Sequence, residues 1–473
     1  MAAQNDTFYD IHMHAFNLSH PDFLVFLKRF KPKNYILLII MFCSGFIYLL
    51  STIPFLNKLV TKFVNNLIGE KINLLAVFQN DLSSFFLLTE NCLREEREDK
   101  SRMLNGGKIM VGGTEYSSIA LTPLMIDFGR QGKRRKVNIH LQRAAKSIFE
   151  LVPTHYKEPA GKSIVEQVID VFNAIKWYKN TAWKPALENI YPNLSNGTLR
   201  QLDIYPFMGI NPENYDKPKD ILDLLEKYFS NYKFNRVELN DQQKKFDSDI
   251  NGMKSNYFAG VKLYPPMGYD AWPEDRLKNK SAKKFLQSQK DSITLAQAKV
   301  RTIYYYCSEH HIPVTVHGGG GGFNGIDDKK ESEYLTAIER WESVLQAFPD
   351  LKINIAHLPA DKKSTSADKR RLDKTLQLML KYKNVYTDFA CHSGDDSYFM
   401  NLSKVLSRYS DSERLTLTQK IMFGSDYAVV LGSMESYRKY IDVFSQTTYL
   451  DASQKKLMCS VNPERFLFGP KLT

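Results

Sequence analysis

Cysteine is scarce in this chain: five residues in 473, at Cys43, Cys92, Cys307, Cys391 and Cys459, with no C-x-x-C pair among them. That spacing excludes a zinc ribbon and offers no disulfide framework; it fits a reducing compartment, so a cytoplasmic location is expected. Also lacking are internal repeats, a Pro/Ser-rich linker, and a basic leader followed by an apolar core and a cleavage site, so no secretory signal is expected. Glycine (24) and proline (19) are too few for collagen or low-complexity disorder, and 43% hydrophobic with 25% charged residues is the balance of a globular protein. Acidic residues are outnumbered 52 to 64, a net charge of +12 that favours solubility and weak attraction to anions. The densest basic run, Lys133, Arg134, Arg135 and Lys136, stands beside no nucleic-acid motif and reads as a solvated loop, so nucleic acid is not an expected partner.

Long uncharged runs are rare, with one exception. Residues 35–56, YILLIIMFCSGFIYLLSTIPFL, carry no charge and reach the length of a membrane-spanning helix. A single crossing there would put residues 8–14 and residues after 250 on opposite sides of a bilayer, although both are assigned below to one folded unit. The readings that survive are a buried helix or hairpin, a homo-oligomer surface, or a peripheral membrane patch assisted by Lys28, Arg29, Lys31 and Lys33. Gly45 and Pro54 interrupt the run, which favours the soluble readings.

What the chain does have is alternation. Short apolar runs at Phe8–Ile11, Ile119–Ile126, Leu202–Met208, Phe258–Tyr264, Ile312–Val316, Lys352–Ala356, Val385–Phe389 and Ile421–Phe423 read as buried strands. Between the later ones lie helix-period segments: LAQAKVRTIYYYCSEHH, SEYLTAIERWESVLQAF, RRLDKTLQLMLKYK and SMESYRKYIDVFSQ. Strand-helix alternation calls for a parallel sheet with crossover helices, and eight such units predict an α/β fold, a closed (β/α)8 TIM-type barrel in a single domain. The surplus length falls in a long, mostly helical insertion over residues 17–115, after the first strand, and in a second excursion over 129–200.

The chemistry-bearing residues follow strand ends. YDIHMH places His12 and His14 at i and i+2, so both imidazoles can reach one metal ion from one face of a strand. IPVTVH and KINIAH end strands at His317 and His357, and IMFGSD does so at Asp426. Each histidine alone has a bland reading as a satisfied core residue, but in a parallel barrel all strand ends meet on one face, where barrel enzymes keep their sites. His20, His140, His155, His310, His311 and His392 occupy less diagnostic places.

Taken together, YDIHMH, TPLMIDFG, GVKLYPP, VTVHGG, NIAHLP, VYTDFA, FGSDYA and the tail NPERFLFG resemble the amidohydrolase superfamily, in the amidohydrolase-related branch that includes aminocarboxymuconate-semialdehyde decarboxylase-like enzymes. The resemblance implies a metal-dependent barrel enzyme with His12, His14, His317 and Asp426 as metal ligands and His357 as a catalytic or second-metal histidine. The chemistry of such a set agrees: three neutral imidazoles and a carboxylate with one open position lower the pKa of a bound water from ~15.7 to ~7. Zinc suits these ligands best, with manganese or iron(II) as alternatives. Asp426 is placed to move a proton between water and leaving group, and His357 to polarise a carbonyl or stabilise an oxyanion.

Lys262 has four readings: a carboxylated bridge between two ions, a bystander in a one-ion site, an ammonium for a substrate carboxylate, or a structural salt-bridge partner. One ion is preferred. The five glycines of HGGGGGFNG, residues 317–325, lack the Lys-Ser/Thr of a phosphate loop and suit a loop that clears the pocket mouth. Tyr264, Trp272, Cys391, His392 and Tyr427 follow strand ends as candidate pocket residues. The expected activity is hydrolysis of a C–N or C–O bond of a small carbonyl compound by metal-activated water, with non-oxidative decarboxylation as the alternative.

Overall fold

The computed structural model describes residues 7–17, 20, 74, 77–78, 80–94, 109–116, 118–128, 162–180, 202–232, 235–249, 253, 256–278, 285–319, 329–361, 365–392 and 394–469. The uncharged run 35–56, the basic run 133–136 and most of the glycine loop lie outside these residues. Among the described residues no helix is long and apolar enough to cross a membrane.

The barrel strands are β1 (Thr7–Met13), β2 (Ser118–Pro123), β3 in two pieces (Leu202–Ile204 and Phe207–Gly209), β4 (Gly260–Leu263), β5 (Val314–Val316), β6 (Ile353–Ile355), β7 (Val385–Asp388) and β8 (Ile421–Met422). Every neighbouring pair is parallel, with Leu121 opposite Ile204, Phe207 opposite Gly260, Leu263 opposite Val316, Val316 opposite Ile355, and Thr387 opposite both Ile355 and Ile421. β3 is split at Tyr205 and Pro206 because proline has no N–H to give the ladder. The ring closes between the first and last strands. Ile11 N donates to Phe423 O at 3.2 Å and Asp426 N to His12 O at 2.7 Å, and Met13 bridges in parallel to Tyr427. All eight expected strands are present, and the sheet is a closed (β/α)8 barrel.

Two apolar clusters divide along the strand period. Tyr9, Ile11, Ala120, Phe207, Tyr386 and Met422 share an inner cluster with Phe466 and Leu467 of the C-terminal helix Asn462–Phe468, which stops one end of the barrel. Phe8, Ile119, Leu121, Val385, Ile421 and Phe423 belong to the larger cluster shared with the surrounding helices. Alternate residues of one strand thus feed two cores, as period-2 geometry requires.

The helices largely follow the expected segments, at Gln287–Glu309, Ser366–Lys381 and Tyr437–Gln446. One expected helix is two: Lys329–Leu335 and Ile338–Ala347 are separated at Thr336 and Ala337, where Thr336 Oγ1 donates back to Ser332 O. Within 17–115, the described part holds a helix, Leu82–Arg94, and an antiparallel hairpin pairing Ile109–Val111 with Thr114–Tyr116.

At the strand starts, Arg236 ties three strands together: its guanidinium donates to Tyr205 OH (2.9 Å), Thr7 Oγ1 (2.9 Å), Ser118 Oγ (3.1 Å) and Asp203 Oδ2 (2.7 Å). Arg236→Met removes every one of these bonds and leaves a half-buried Asp203 without its cation. A loss of about 2–3 kcal/mol is expected, read as a lower midpoint in thermal or urea unfolding; an unchanged midpoint would remove the guanidinium from the account of the fold.

Candidate metal centre

The C-terminal ends of β1, β5, β6, β7 and β8 bring four imidazoles and two carboxylates together. His12 Nε2 lies 3.7 Å and His14 Nε2 3.2 Å from Asp426 Oδ1. The His12 ring centroid is 4.6 Å from that of His357 and 5.4 Å from that of His14, and His357 Nε2 is 3.1 Å from His317 Nδ1. All of these groups are buried.

Two of them arrive by breaking the strand period. Tyr9 and Ile11 face inward, so strict alternation would turn His12 outward; the pairing of β1 with β2 shifts between Asp10 and Met13, and this irregularity re-aims the chain. On β6 the inward parity belongs to Asn354, whose side chain meets Thr315 and Asp388. His357, three residues on, reaches in from a left-handed backbone with φ 64°, and Asp426 sits at φ 63°. Left-handed backbone at non-glycine residues costs energy and collects at functional sites. Close approach also requires glycine at position 424, where an added Cβ would stand 2.7 Å from the Cβ of His12.

Hydrogen bonds assign the tautomers. His12 Nδ1 is 3.0 Å from Asp388 Oδ2, His14 Nδ1 2.9 Å from Leu124 O, and His357 Nδ1 3.0 Å from Ala390 O. Each partner is an acceptor, so each Nδ1 carries a proton, and in the neutral ring each Nε2 presents its lone pair. His12 Nε2 is buried without a hydrogen-bond partner. Two lone pairs and a carboxylate oxygen that face one another repel, unless a cation sits among them. Ligand atoms of His12, His14 and Asp426 lie within 4.8 Å of one another, as do those of His12, His357 and Asp388. This donor chemistry fits a divalent ion. His317 belongs to neither set and meets the cluster through His357.

Asp388 was not singled out by the sequence, although VYTDFA ends a strand in a carboxylate like the other motifs. Its Oδ2 accepts from His12 Nδ1 (3.0 Å) and Asn354 Nδ2 (2.7 Å), and its Oδ1 from the backbone N–H groups of His357 and Ala390 (both 3.1 Å). Asp10, equally unforeseen, accepts from Ser425 Oγ (2.5 Å), Ser425 N (3.0 Å), Tyr437 OH (2.9 Å) and His12 N (3.2 Å). Asp10 sits mid-strand, where an acidic residue reads as a break in an apolar pattern.

Burial sets the direction of several titrations. It lowers His12 and pushes His357 down to about 3, which favours the neutral form of both rings. Burial works to raise Asp388 and Asp426, but hydrogen bonds from His12 Nδ1 and Asn354 to Asp388, and the contact of His14 Nε2 with Asp426 Oδ1, outweigh it and hold both carboxyls below the usual range. Burial pushes Asp10 up to about 7 and Lys262 down to about 8.

The remaining candidates separate. Tyr264 lines the centre, its ring centroid 4.6 Å from that of His317. His392 stands 6.3 Å from His357 by ring centroids, with Nδ1 2.5 Å from Asp361 Oδ2. Cys391 is adjacent and interacts with Asp426. Tyr427 turns the other way: its ring packs on Tyr437 (4.7 Å) and Phe85 (5.6 Å), while its carbonyl accepts from His14 N. Trp272 packs against Phe348 and Arg301 in the helix-barrel layer, because Trp272 N binds Asp270 and turns the chain there.

A closed parallel barrel whose mouth gathers lone-pair imidazoles around a carboxylate defines a metal-dependent barrel enzyme. Residues 237–469, just under half of the chain, match the family described as Amidohydrolase. Hydrolases and metal-dependent decarboxylases both occur in that family. Among solved structures the chain is similar to a probable 2-pyrone-4,6-dicarboxylic acid hydrolase from Acinetobacter baumannii (11% identity, TM-score 0.36, covering 74% of this chain and 99% of that one). It is also similar to a 5-carboxyvanillate decarboxylase from Novosphingobium aromaticivorans (9%, TM-score 0.39, 99% and 98%) and to a dihydroorotase from Campylobacter jejuni (12%, TM-score 0.30, 83% and 81%). No curated protein matches the sequence.

Asp388→Asn keeps the shape but loses the charge and gives one oxygen position to an NH2 group. Metal affinity, measured by competition against a chelator, is expected to fall about 10–100-fold, the usual effect of losing a carboxylate that orients a ligand histidine. Equal affinity in the two proteins would leave Asp388 a purely structural ion.

Proposed function

We propose that this chain is a cytoplasmic, metal-dependent hydrolase that cleaves a C–N or C–O bond of a small carbonyl compound, with one divalent ion, zinc for preference, held by His12, His14, His317 and Asp426. The observation that carries the reading is the convergence of the His12 and His14 lone pairs on Asp426 Oδ1, with His12 Nε2 buried and lacking a hydrogen-bond partner. A divalent ion in such a set supplies Lewis acidity and an acidified water.

The chain's own groups then divide the work. Asp426 enters ionised, with Oδ1 turned to the histidines; its carboxylate can take a proton from the attacking water and return it to the leaving group. His357 enters neutral, with Nδ1–H committed to Ala390 O. Its Nε2 is therefore an acceptor, and the ring suits proton uptake or ligation better than donation to a carbonyl oxygen. Asp388 fixes the orientation of His12, and the backbone of β6 and β7 fixes Asp388. Decarboxylation of a carboxylate substrate is the second reading, and it draws on Lys262, a buried cation beside the same groups.

Two measurements test this. Metal content of protein purified without chelator is expected at one ion per chain, with Asp426→Asn and His12→Ala losing it; full occupancy in both variants would sink the ligand set. With a turned-over substrate in hand, oxygen-18 water labels the product of a hydrolase, whereas unlabelled product with release of carbon dioxide selects the decarboxylase.

A further inference from the structure

We infer that the short helix Lys329–Leu335 is a flap beside the metal centre, held in place by an ionic latch on Arg276 that rising salt releases. What the flap covers rests on the metal-centre reading; the latch itself rests on the geometry of the chain beyond β4 and β5.

Both stretches start at residues of the centre. Beyond β4 the chain passes Tyr264, whose ring stands against His317, and continues through the tight turn Pro265–Met267 to the turn Pro273–Lys278. Beyond β5 it passes His317, and the next described element is the helix Lys329–Leu335, which packs on Pro265–Met267. A seven-residue helix has too few backbone bonds to stand alone, so its contacts decide whether it stays. Among its described side chains only Ser332 and Leu335 are buried. The break at Thr336 and Ala337 separates it from Ile338–Ala347, so it can shift without carrying the longer helix along.

Charge supplies the rest of the hold. Arg276 Nε donates to Asp270 Oδ2 at 2.9 Å, and Arg276 Nη2 donates to Glu331 Oε1 at 2.7 Å. The two arms differ in exposure: the Asp270 side chain is 4% exposed and that of Glu331 41%. The inner arm is sheltered from ions and keeps the guanidinium on its own loop, whereas the outer arm, the one that crosses to the flap, is open to screening. Tyr334 adds a second contact. The guanidinium carbons of Arg276 and Arg340 lie 4.8 and 4.7 Å from its ring centroid, and Arg340 Nη1 donates to its OH at 2.9 Å. Arg340 is steadied in turn by Asp275 (3.3 Å), which also accepts from Ser343 Oγ and Lys278 Nζ. A bond anchored at one end and screened at the other can release the flap while the barrel stays intact. Release uncovers the side of the centre where Tyr264 and His317 stand.

The test is hydrogen exchange read by mass spectrometry on the full chain at low and high sodium chloride, in wild type, Glu331→Gln and Arg276→Gln, with release of zinc to a chelator timed in parallel. In wild type, exchange of residues 329–335 should rise about two- to fivefold with salt, the range of an exposed ion pair, and zinc release should rise with it. Both variants should exchange there at the high-salt rate or faster whatever the salt, and lose the salt response of zinc release, while the strands 353–355 and 385–388 keep wild-type rates. Three outcomes overturn the latch: salt-independent exchange of 329–335 in wild type, variants that match wild type at low salt, or exchange raised throughout the barrel in both variants, which would make Arg276 a structural ion. Faster exchange of 329–335 with unaltered zinc release would overturn the flap's hold on the centre. Protein that takes up no zinc but keeps the salt- and Glu331-dependent exchange would sink the metal reading and leave the latch standing.

Discussion

The arrangement depends first on the carboxylate of Asp388. It collects His12 from β1, Asn354 and the His357 N–H from β6, and the Ala390 N–H from its own chain just past β7, so one buried anion ties three strand ends together. A buried carboxylate is tolerable only when its lone pairs are answered, and here four donors answer them. The same bonds decide the tautomer of His12 and, through the His357 backbone, the depth to which the second imidazole reaches. Geometry and protonation are therefore set by one group.

A parallel barrel must also close, and the seam between β1 and β8 is where both ligand-bearing segments lie. Asp10 works there as Asp388 does deeper in: it accepts from Ser425 and Tyr437 on one side and from the His12 N–H on the other. Ser425 Oγ accepts in turn from Tyr427 N at 3.0 Å, so the residues on both sides of Asp426 are pinned while Asp426 itself takes a left-handed backbone. The strain at Asp426 and His357 is sustained by the surrounding bonds. What it achieves is direction: each side chain points at a centre that a regular strand would miss.

Much of this was legible in the sequence. Eight apolar runs became eight strands, and His12, His14, His317, His357 and Asp426 all came to the mouth, because strand ends in a parallel barrel converge whatever lies between them. The partners of those residues were hidden. Asp10, Asn354 and Asp388 show only as polar interruptions within apolar runs, and nothing local says that they face one another across the sheet. Tyr427 and Trp272 mislead for the opposite reason: both follow strand ends, but an aromatic ring packs wherever space allows, and theirs lies against the helices. Thr336 broke a helix that the apolar period alone would have continued.

Stability and chemistry occupy opposite ends of the barrel, and the residue types show why they can be altered separately. At the strand starts Arg236 is fully engaged, and Phe466 and Leu467 close the inner core with apolar surface. At the strand ends the polar groups are buried but incompletely answered: His12 Nε2 and Lys262 Nζ lack hydrogen-bond partners. A fold gains nothing from leaving an imidazole lone pair and an ammonium unanswered within one pocket. Their shortfalls are of opposite sign: a lone pair without a donor at His12 and an amine without an acceptor at Lys262.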